Sequence, residues 1–131
     1  MKKTALITGG AGFIGSHLAH RLLKEDWNVT IVDNLFSGYR TNIPAGADYI
    51  WLDVSKDDLV CQLPKISYDA VFHLASHVGQ EISFDNPVYD FKTNGLSTVS
   101  LLNWCLTNKI RKFVFASSMN VYGEQDSLPV T

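Results

Sequence analysis

The sequence predicts an α/β fold built on a parallel, doubly wound sheet, and three observations carry this. A short apolar run, Ala5-Leu6-Ile7, leads straight into a glycine-rich turn and then into Phe13, Ile14, Leu18 and Leu22. A second apolar run, Val29-Thr30-Ile31-Val32, ends at Asp33. Further short apolar runs then alternate with helical patterns. Strand, turn, helix, strand is the βαβ unit, whose strands lie parallel and whose crossovers are right-handed.

Strand one is expected at about residues 4–8. The first helix follows over about 12–24, with Ile14, Leu18 and Leu22 on one face at spacings of four. Strand two covers about 28–32. Residues 34–46 form a loop broken by Ser37-Gly38 and Pro44. Strand three is Tyr49-Ile50-Trp51-Leu52, ending at Asp53. A short helix is expected after Ser55, which stands three residues before Asp58 as a loose capping pair, and Pro64 stops it. Strand four is Ala70-Val71-Phe72, leading into His73-Leu74-Ala75. An irregular stretch covers 76–86. Pro87 suits the first turn of a long helix capped by Asp85 or Asn86. That helix is expected to turn Phe91, Leu96, Val99, Leu102 and Leu106 inward. Leu101, Trp104 and Cys105 widen its apolar surface, so it has area to face the sheet and something else. Strand five is Phe113-Val114-Phe115-Ala116, ending at Ser117-Ser118.

At 131 residues the chain is long enough for one domain with a substantial core, and 46% hydrophobic with 18% charged residues is ordinary for a globular protein. A net charge of -2 without a basic cluster gives no general attraction to nucleic acid. No run reaches membrane-spanning length, and Ala5-Leu6-Ile7 is too short for a secretion signal. Cys61 and Cys105 lie far apart in apolar surroundings and match no metal spacing, so they read as reduced core thiols suited to the cytoplasm. The four histidines show no metal-ligand pattern, and no metal is expected.

Gly10, Gly12 and Gly15 stand in the spacing G-x-G-x-x-G. Such glycines permit a tight turn, close approach of backbone to a pyrophosphate, and close packing of helix on strand. The new helix offers free N–H groups and its positive dipole end to phosphates. Asp33 stands near the ~20-residue spacing at which an acidic residue receives a ribose. Ser16-His17 follow Gly15 where a triphosphate-binding loop needs Lys-[Ser/Thr], which excludes an ATPase or kinase. Gly9, Gly10, Asp33, Asp53, His73, Ser117 and Ser118 all fall at strand C-termini, the edge where parallel sheets bind ligands.

Together the segments Thr8 to Leu18, Asp33-Asn34-Leu35 with Ser37-Gly38, His73-Leu74-Ala75, Phe113 to Ser118 and Val121-Tyr122-Gly123 resemble the extended short-chain dehydrogenase/reductase family, in its branch of NAD-dependent nucleotide-sugar epimerases and dehydratases. The resemblance implies a Rossmann-like sheet of order 3-2-1-4-5, cut after about five strands. It also implies NAD as cofactor. Gly9, Gly12 and Gly15 match the family's fingerprint, with Phe13 and Ile14 under the pyrophosphate. Asp33 matches the acid that takes the adenosine ribose hydroxyls and repels the extra phosphate of NADP. Asn34, Ser37 and Gly38 match the ribose loop, and Asp53 and Val54 the pair beside the adenine. Leu74 and Ala75 pass under the nicotinamide half, and His73 reads as structural. Val78, Ser83 and Pro87 resemble the loop that closes over cofactor and sugar. Asn94 supports the backbone of the site, with Ser97 as a mild departure from the family pattern. Ser118 matches the catalytic serine or threonine, while Tyr122 belongs to a packing motif.

The family's chemistry needs Tyr-x-x-x-Lys, with tyrosine as acid/base and lysine lowering its pKa. Tyr39, Tyr49, Tyr68, Tyr89 and Tyr122 are followed four residues on by Ile43, Asp53, Phe72, Thr93 and Asp126. The expectation is therefore the NAD-binding N-terminal part of a nucleotide-sugar enzyme, without its substrate domain and inactive alone. The alternative is a non-catalytic NAD-binding or assembly module. The parent's partner would be a nucleotide-diphosphate sugar. The helix beginning at Pro87 matches half of a four-helix dimer interface in the family, so a homodimer or higher assembly is expected.

Overall fold

The computed structural model describes residues 1–56, 58–77 and 80–124. Five strands form one parallel sheet: β1 (Thr4–Thr8), β2 (Asn28–Asp33), β3 (Asp48–Trp51), β4 (Ala70–His73) and β5 (Lys112–Phe115). Their order is β3-β2-β1-β4-β5. This is the predicted Rossmann-like order, with strand limits moved by one residue.

Alternation along β1 and β2 sorts the core into two layers. Ala5, Ile7, Val29 and Ile31 pack with Ala19 and Leu22 of α1 (Phe13–Lys24). Leu6, Val32 and Val71 point the other way, onto Leu52, Leu59, Leu63, Leu101 and Cys105. β1, buried on both faces, is the axis of the molecule.

Of the expected face of α1, Leu22 is buried and Leu18 packs against this layer, whereas Ile14 is 66% exposed, and Gly15, Ser16 and Ala19 complete the buried side. α1 lies so close to the glycine turn that a Cβ on Gly15 would stand 2.3 Å from the Gly9 carbonyl oxygen. Only small residues fit that contact.

After β3 the expected helix is a single 3-10 turn, Leu59–Cys61. Its tight period turns Leu59 into the core and leaves Cys61 exposed, so only Cys105 is a core thiol. Burial pushes the Cys105 thiol up to about 11. The N-cap is Asp58, with no side-chain cap bond, and Ser55 instead joins a local turn in which its N–H donates to Asp53 Oδ1 at 2.9 Å.

The stretch expected to be irregular contains α2 (Gln80–Asp85). The long helix then runs as α3 (Pro87–Phe91), a π turn (Lys92–Leu96) and α4 (Ser97–Thr107). The Asn86 side chain accepts from the Tyr89 N–H at 3.1 Å, as a cap should. Here too the inward face is reversed. Thr93, Ser97, Leu101 and Cys105 are buried, whereas Phe91 is 64% and Leu106 77% exposed, with Leu96, Val99 and Leu102 also outward. Apolar residues surround this helix, so periodicity alone did not choose its face. Polar demand chose it, because Ser97 and Thr98 meet His73 of β4.

After β5, residues Met119–Tyr122 form a 3-10 turn, and Tyr122 is exposed rather than packed into either core layer. Among the described residues no helix is long and apolar enough to cross a membrane. None of their His, Cys, Asp and Glu side chains form a group of three placed to hold a metal ion.

Candidate functional site

The chain order reverses direction beside β1, where β2 and β4 flank it, and the cleft opens there at the strand C-termini. Two adjoining cavities fill this cleft. An inner one of about 140 Å³ is lined by Val32, Asp33, Leu52, Val54, Tyr89 and Thr93, among others. An outer one of about 840 Å³ runs over the start of α1 to Ser117 and Ser118. Gly9, Gly12, Leu74, Ala75, Ser76 and His77 line both and mark the junction.

The glycines divide their work. Gly9 has φ +69°, and a Cβ there would stand 2.7 Å from the Ala75 nitrogen, so it allows the turn and the approach of the β4 loop. Gly15 brings helix and turn together. Gly12 is different, because a Cβ there would meet only the Gly9 carbonyl oxygen, at 3.3 Å. The space in front of Gly12 is cavity. Gly12 is the N-cap of α1 and supplies no capping side chain, so the first N–H groups of the helix are left for a ligand.

Asp33 ends β2 and is 8% exposed. Its Oδ2 accepts from the Ala11 N–H at 2.9 Å, and its Oδ1 from the Leu35 N–H at 2.7 Å. These bonds fix the carboxylate while leaving each oxygen a further lone pair for a ligand hydroxyl. The loop after β2 folds back on the glycine turn. Asn42 Nδ2 and the Tyr39 N–H both donate to the Ala11 carbonyl, at 2.9 and 3.2 Å. This brings Asn34, Ser37 and Gly38 to the inner cavity.

His73 anchors the cleft floor. Ser97 Oγ donates to the Thr93 carbonyl, and Thr98 Oγ1 donates to the Asn94 carbonyl at 2.8 Å. Both hydroxyls therefore accept from His73 Nε2, at 3.2 and 3.0 Å. That leaves Nδ1 to accept from Thr8 Oγ1 at 2.7 Å, and the same oxygen accepts from the Ala75 N–H at 3.2 Å. The imidazole is thus neutral with its proton on Nε2, and burial pushes its pKa down to about 4. It binds β1, β4 and α4 together.

Asn94 sits in the π turn, an irregularity that often marks working sites. Its Oδ1 accepts from the His77 N–H at 2.7 Å, and its Nδ2 donates to the His77 carbonyl at 3.1 Å. It therefore holds the main chain at the cavity junction. Ser118 lines the outer cavity and accepts from the Asn120 N–H at 3.2 Å, so its own proton remains available.

Of the described residues singled out in the sequence as holding cofactor or substrate, Gly10, Asp53 and Pro87 line neither cavity, and the others line one or both. Asp53 lies behind the wall, with Oδ2 accepting from the Tyr89 hydroxyl at 3.5 Å. Val78 lies outside the described residues. Sequence reasoning did not single out Phe36, Tyr89 and Thr93, which line the inner cavity. The signal available for Tyr89 and Thr93 was their spacing of four along one helical stretch.

The sequence profile described as the NAD dependent epimerase/dehydratase family matches residues 5–131. A putative UDP-glucose 4-epimerase of Methanocaldococcus jannaschii is 40% identical over 126 residues, covering 95% of this chain and 41% of that protein. An epimerase from Methanothermobacter thermautotrophicus superposes with TM-score 0.89 at 38% identity, over 99% of this chain and 40% of that one. A UDP-glucose 4-epimerase of Thermus thermophilus solved in complex with NAD gives TM-score 0.79 at 36% identity, over 88% of this chain and 37% of that one. The chain thus spans about 40% of the length of these relatives.

Proposed function

The chain belongs to the NAD dependent epimerase/dehydratase family, and from this we propose that it is the NAD-binding portion of a nucleotide-sugar epimerase or dehydratase. The observation that carries this reading is the pairing of a fixed, cavity-facing Asp33 with the open Gly12 at the start of α1. The cavities fit the cofactor. A carboxylate waits for ribose hydroxyls at one end, and uncapped helix N–H groups wait for phosphates at the junction. Gly9, Gly12, Phe13, Ile14 and Gly15 would hold the pyrophosphate. Asp33, Asn34, Ser37 and Gly38 would hold the adenosine ribose, and Val54 the adenine, with Asp53 supporting that wall. Leu74 and Ala75 would line the nicotinamide side, and Asn94 would position the backbone.

Bound NAD supplies a hydride acceptor for a sugar hydroxyl carbon. Ser118 would donate its free hydroxyl proton to the sugar oxygen where charge changes. The substrate class is a nucleotide-diphosphate sugar, and the setting is the cytoplasm, where a thiol as exposed as Cys61 stays reduced. The 131 residues contain no Tyr-x-x-x-Lys, so this chain alone is expected to show no turnover. The same observation favours a second reading, a non-catalytic NAD-binding or assembly module. The outward apolar side chains of α3 and α4 support a homodimer in either case.

Calorimetric titration with NAD and NADP tests the cofactor assignment. NAD is expected to bind at least about tenfold more tightly, because Asp33 meets the 2′-phosphate of NADP with like charge. Equal affinities would remove Asp33 from its assigned role. Epimerase or dehydratase turnover by the purified 131-residue chain would overturn the expectation of inactivity.

A further inference from the structure

Ala11 stands between Gly10 and Gly12, is fully buried and lines neither cavity. Separate parts of the chain hold its two backbone groups. Its N–H donates to Asp33 Oδ2 at 2.9 Å, at the end of β2. Its carbonyl oxygen accepts from Asn42 Nδ2 at 2.9 Å and from the Tyr39 N–H at 3.2 Å, both in the loop after β2. A carbonyl oxygen has two lone pairs, so these two donors saturate it. Tyr39 and Asn42 line neither cavity, and the oxygen is therefore turned away from the cleft.

This peptide unit controls what a ligand meets. The Ala11 carbonyl and the Gly12 N–H belong to one rigid plane. On its other side the Gly12 N–H donates to the Gly9 carbonyl at 3.2 Å, so the plane is held at both ends. Gly12 is the N-cap of α1, and the helix N–H groups without intrahelical partners follow directly after it. The setting of the plane thus sets the direction of those groups. Gly12 offers no Cβ to restrict the backbone there, so the restriction has to come from outside the turn.

We propose that Asn42 is a positioning residue for the dinucleotide. From outside both cavities its amide sets the Ala11–Gly12 plane, and so aims the first N–H groups of α1 at the pyrophosphate. This rests on the NAD reading above and names a residue on which the phosphate contact depends. The loop reaches Ala11 through Gly38, where a Cβ would stand 2.9 Å from the Ala11 carbonyl carbon. The 3-10 turn Arg40–Asn42 then brings the Asn42 amide back onto the carbonyl. Without that amide the Tyr39 N–H and the Gly38 contact still keep the loop against Ala11. What is lost is one of the two donors on the carbonyl, and the plane is free to tilt.

The ribose and the adenine do not use the helix N–H groups, which separates this role from that of a loop anchor. The test is calorimetric titration of wild type and Asn42→Ala with NAD, ADP-ribose and adenosine, with circular dichroism to establish that the variant is folded. NAD and ADP-ribose are expected to bind the variant roughly tenfold more weakly, as the loss of one hydrogen bond predicts. Adenosine affinity is expected to be unchanged. Four results would overturn the proposal: undiminished NAD binding by Asn42→Ala, losses shared equally by adenosine, a loss for NAD that ADP-ribose does not share, or a variant that fails to fold. The second would make Asn42 an anchor of the ribose loop, and the last would make it a residue of the fold alone. Wild-type protein that binds neither NAD nor ADP-ribose would instead remove the cofactor reading, and this proposal with it.

Discussion

Gly12 and Gly15 lie three residues apart on one turn and should answer the same substitution in opposite ways. In Gly15→Ala the new methyl stands 2.3 Å from the Gly9 carbonyl oxygen and 2.7 Å from the Gly10 Cα, both backbone atoms. The helix must move off the turn, and a loss of roughly 2–3 kcal/mol is expected in urea unfolding. In Gly12→Ala the methyl enters the cavity, so stability should change by less than about 1 kcal/mol while NAD binding is lost or falls by more than roughly tenfold. A Gly12→Ala protein that binds NAD normally would move the pyrophosphate elsewhere. His73 gives a second contrast, in pH. Its folded pKa of about 4 lies below the ordinary 6.5, so the folded state binds fewer protons than the unfolded one between those values. The resulting stability is complete above pH 6.5 and is lost as the pH falls towards 4, by about 3 kcal/mol. Unfolding curves of wild type and His73→Gln should therefore converge by that amount on acidification from pH 7 to 4.

At the level of elements, β1, α1 and β2 were legible in the sequence because one strong signal sets each. β1 and β2 are apolar runs buried on both sides, and the glycines fix the turn from β1 into α1. The face of α1 was legible only in Leu18 and Leu22, and that of α3–α4 was not, for opposite reasons. α1 approaches the sheet too closely for large side chains, so its contact residues Gly15 and Ala19 carry little hydropathy. α4 is apolar over most of its circumference, and the choice fell to a hydrogen-bonding need of His73 that exists only once β4 is in place. The site followed the same division. Residues at strand ends and in the glycine turn could be named from order alone. Phe36, Tyr89 and Thr93 reach the cavity only through the loop and helix that carry them across it. The corrected face of α4 has a direct test. Leu101→Ala, at a fully buried position, is expected to cost about 2–5 kcal/mol, and Leu106→Ala within about 0.5 kcal/mol of zero in the monomer. Similar costs at both would restore the face that periodicity suggested.

For the whole molecule, the outward row Val88, Phe91, Leu102 and Leu106 and the exposed side chains of the edge strand β5 both favour association. Light scattering at high concentration is expected to give a dimer or larger species, and Phe91→Asp with Leu106→Asp to shift it to monomer. A wild type that stays monomeric would reassign the apolar face. The central place of β1 also sets an order of events in folding. β1 meets β2 in the register Thr4 with Asn28, a separation of 24 residues, and meets β4 in the register Ala5 with Ala70, a separation of 65. Closing the longer loop costs about 0.9 kcal/mol more in chain entropy. β1, α1 and β2 should therefore collapse first and present a ready edge to β4. Mutational analysis of the folding transition state should then find Ile31→Val slowing folding while Val71→Ala mainly speeds unfolding. On that route the half of the cleft formed by the glycine turn and Asp33 is assembled before the half that β4 and β5 complete.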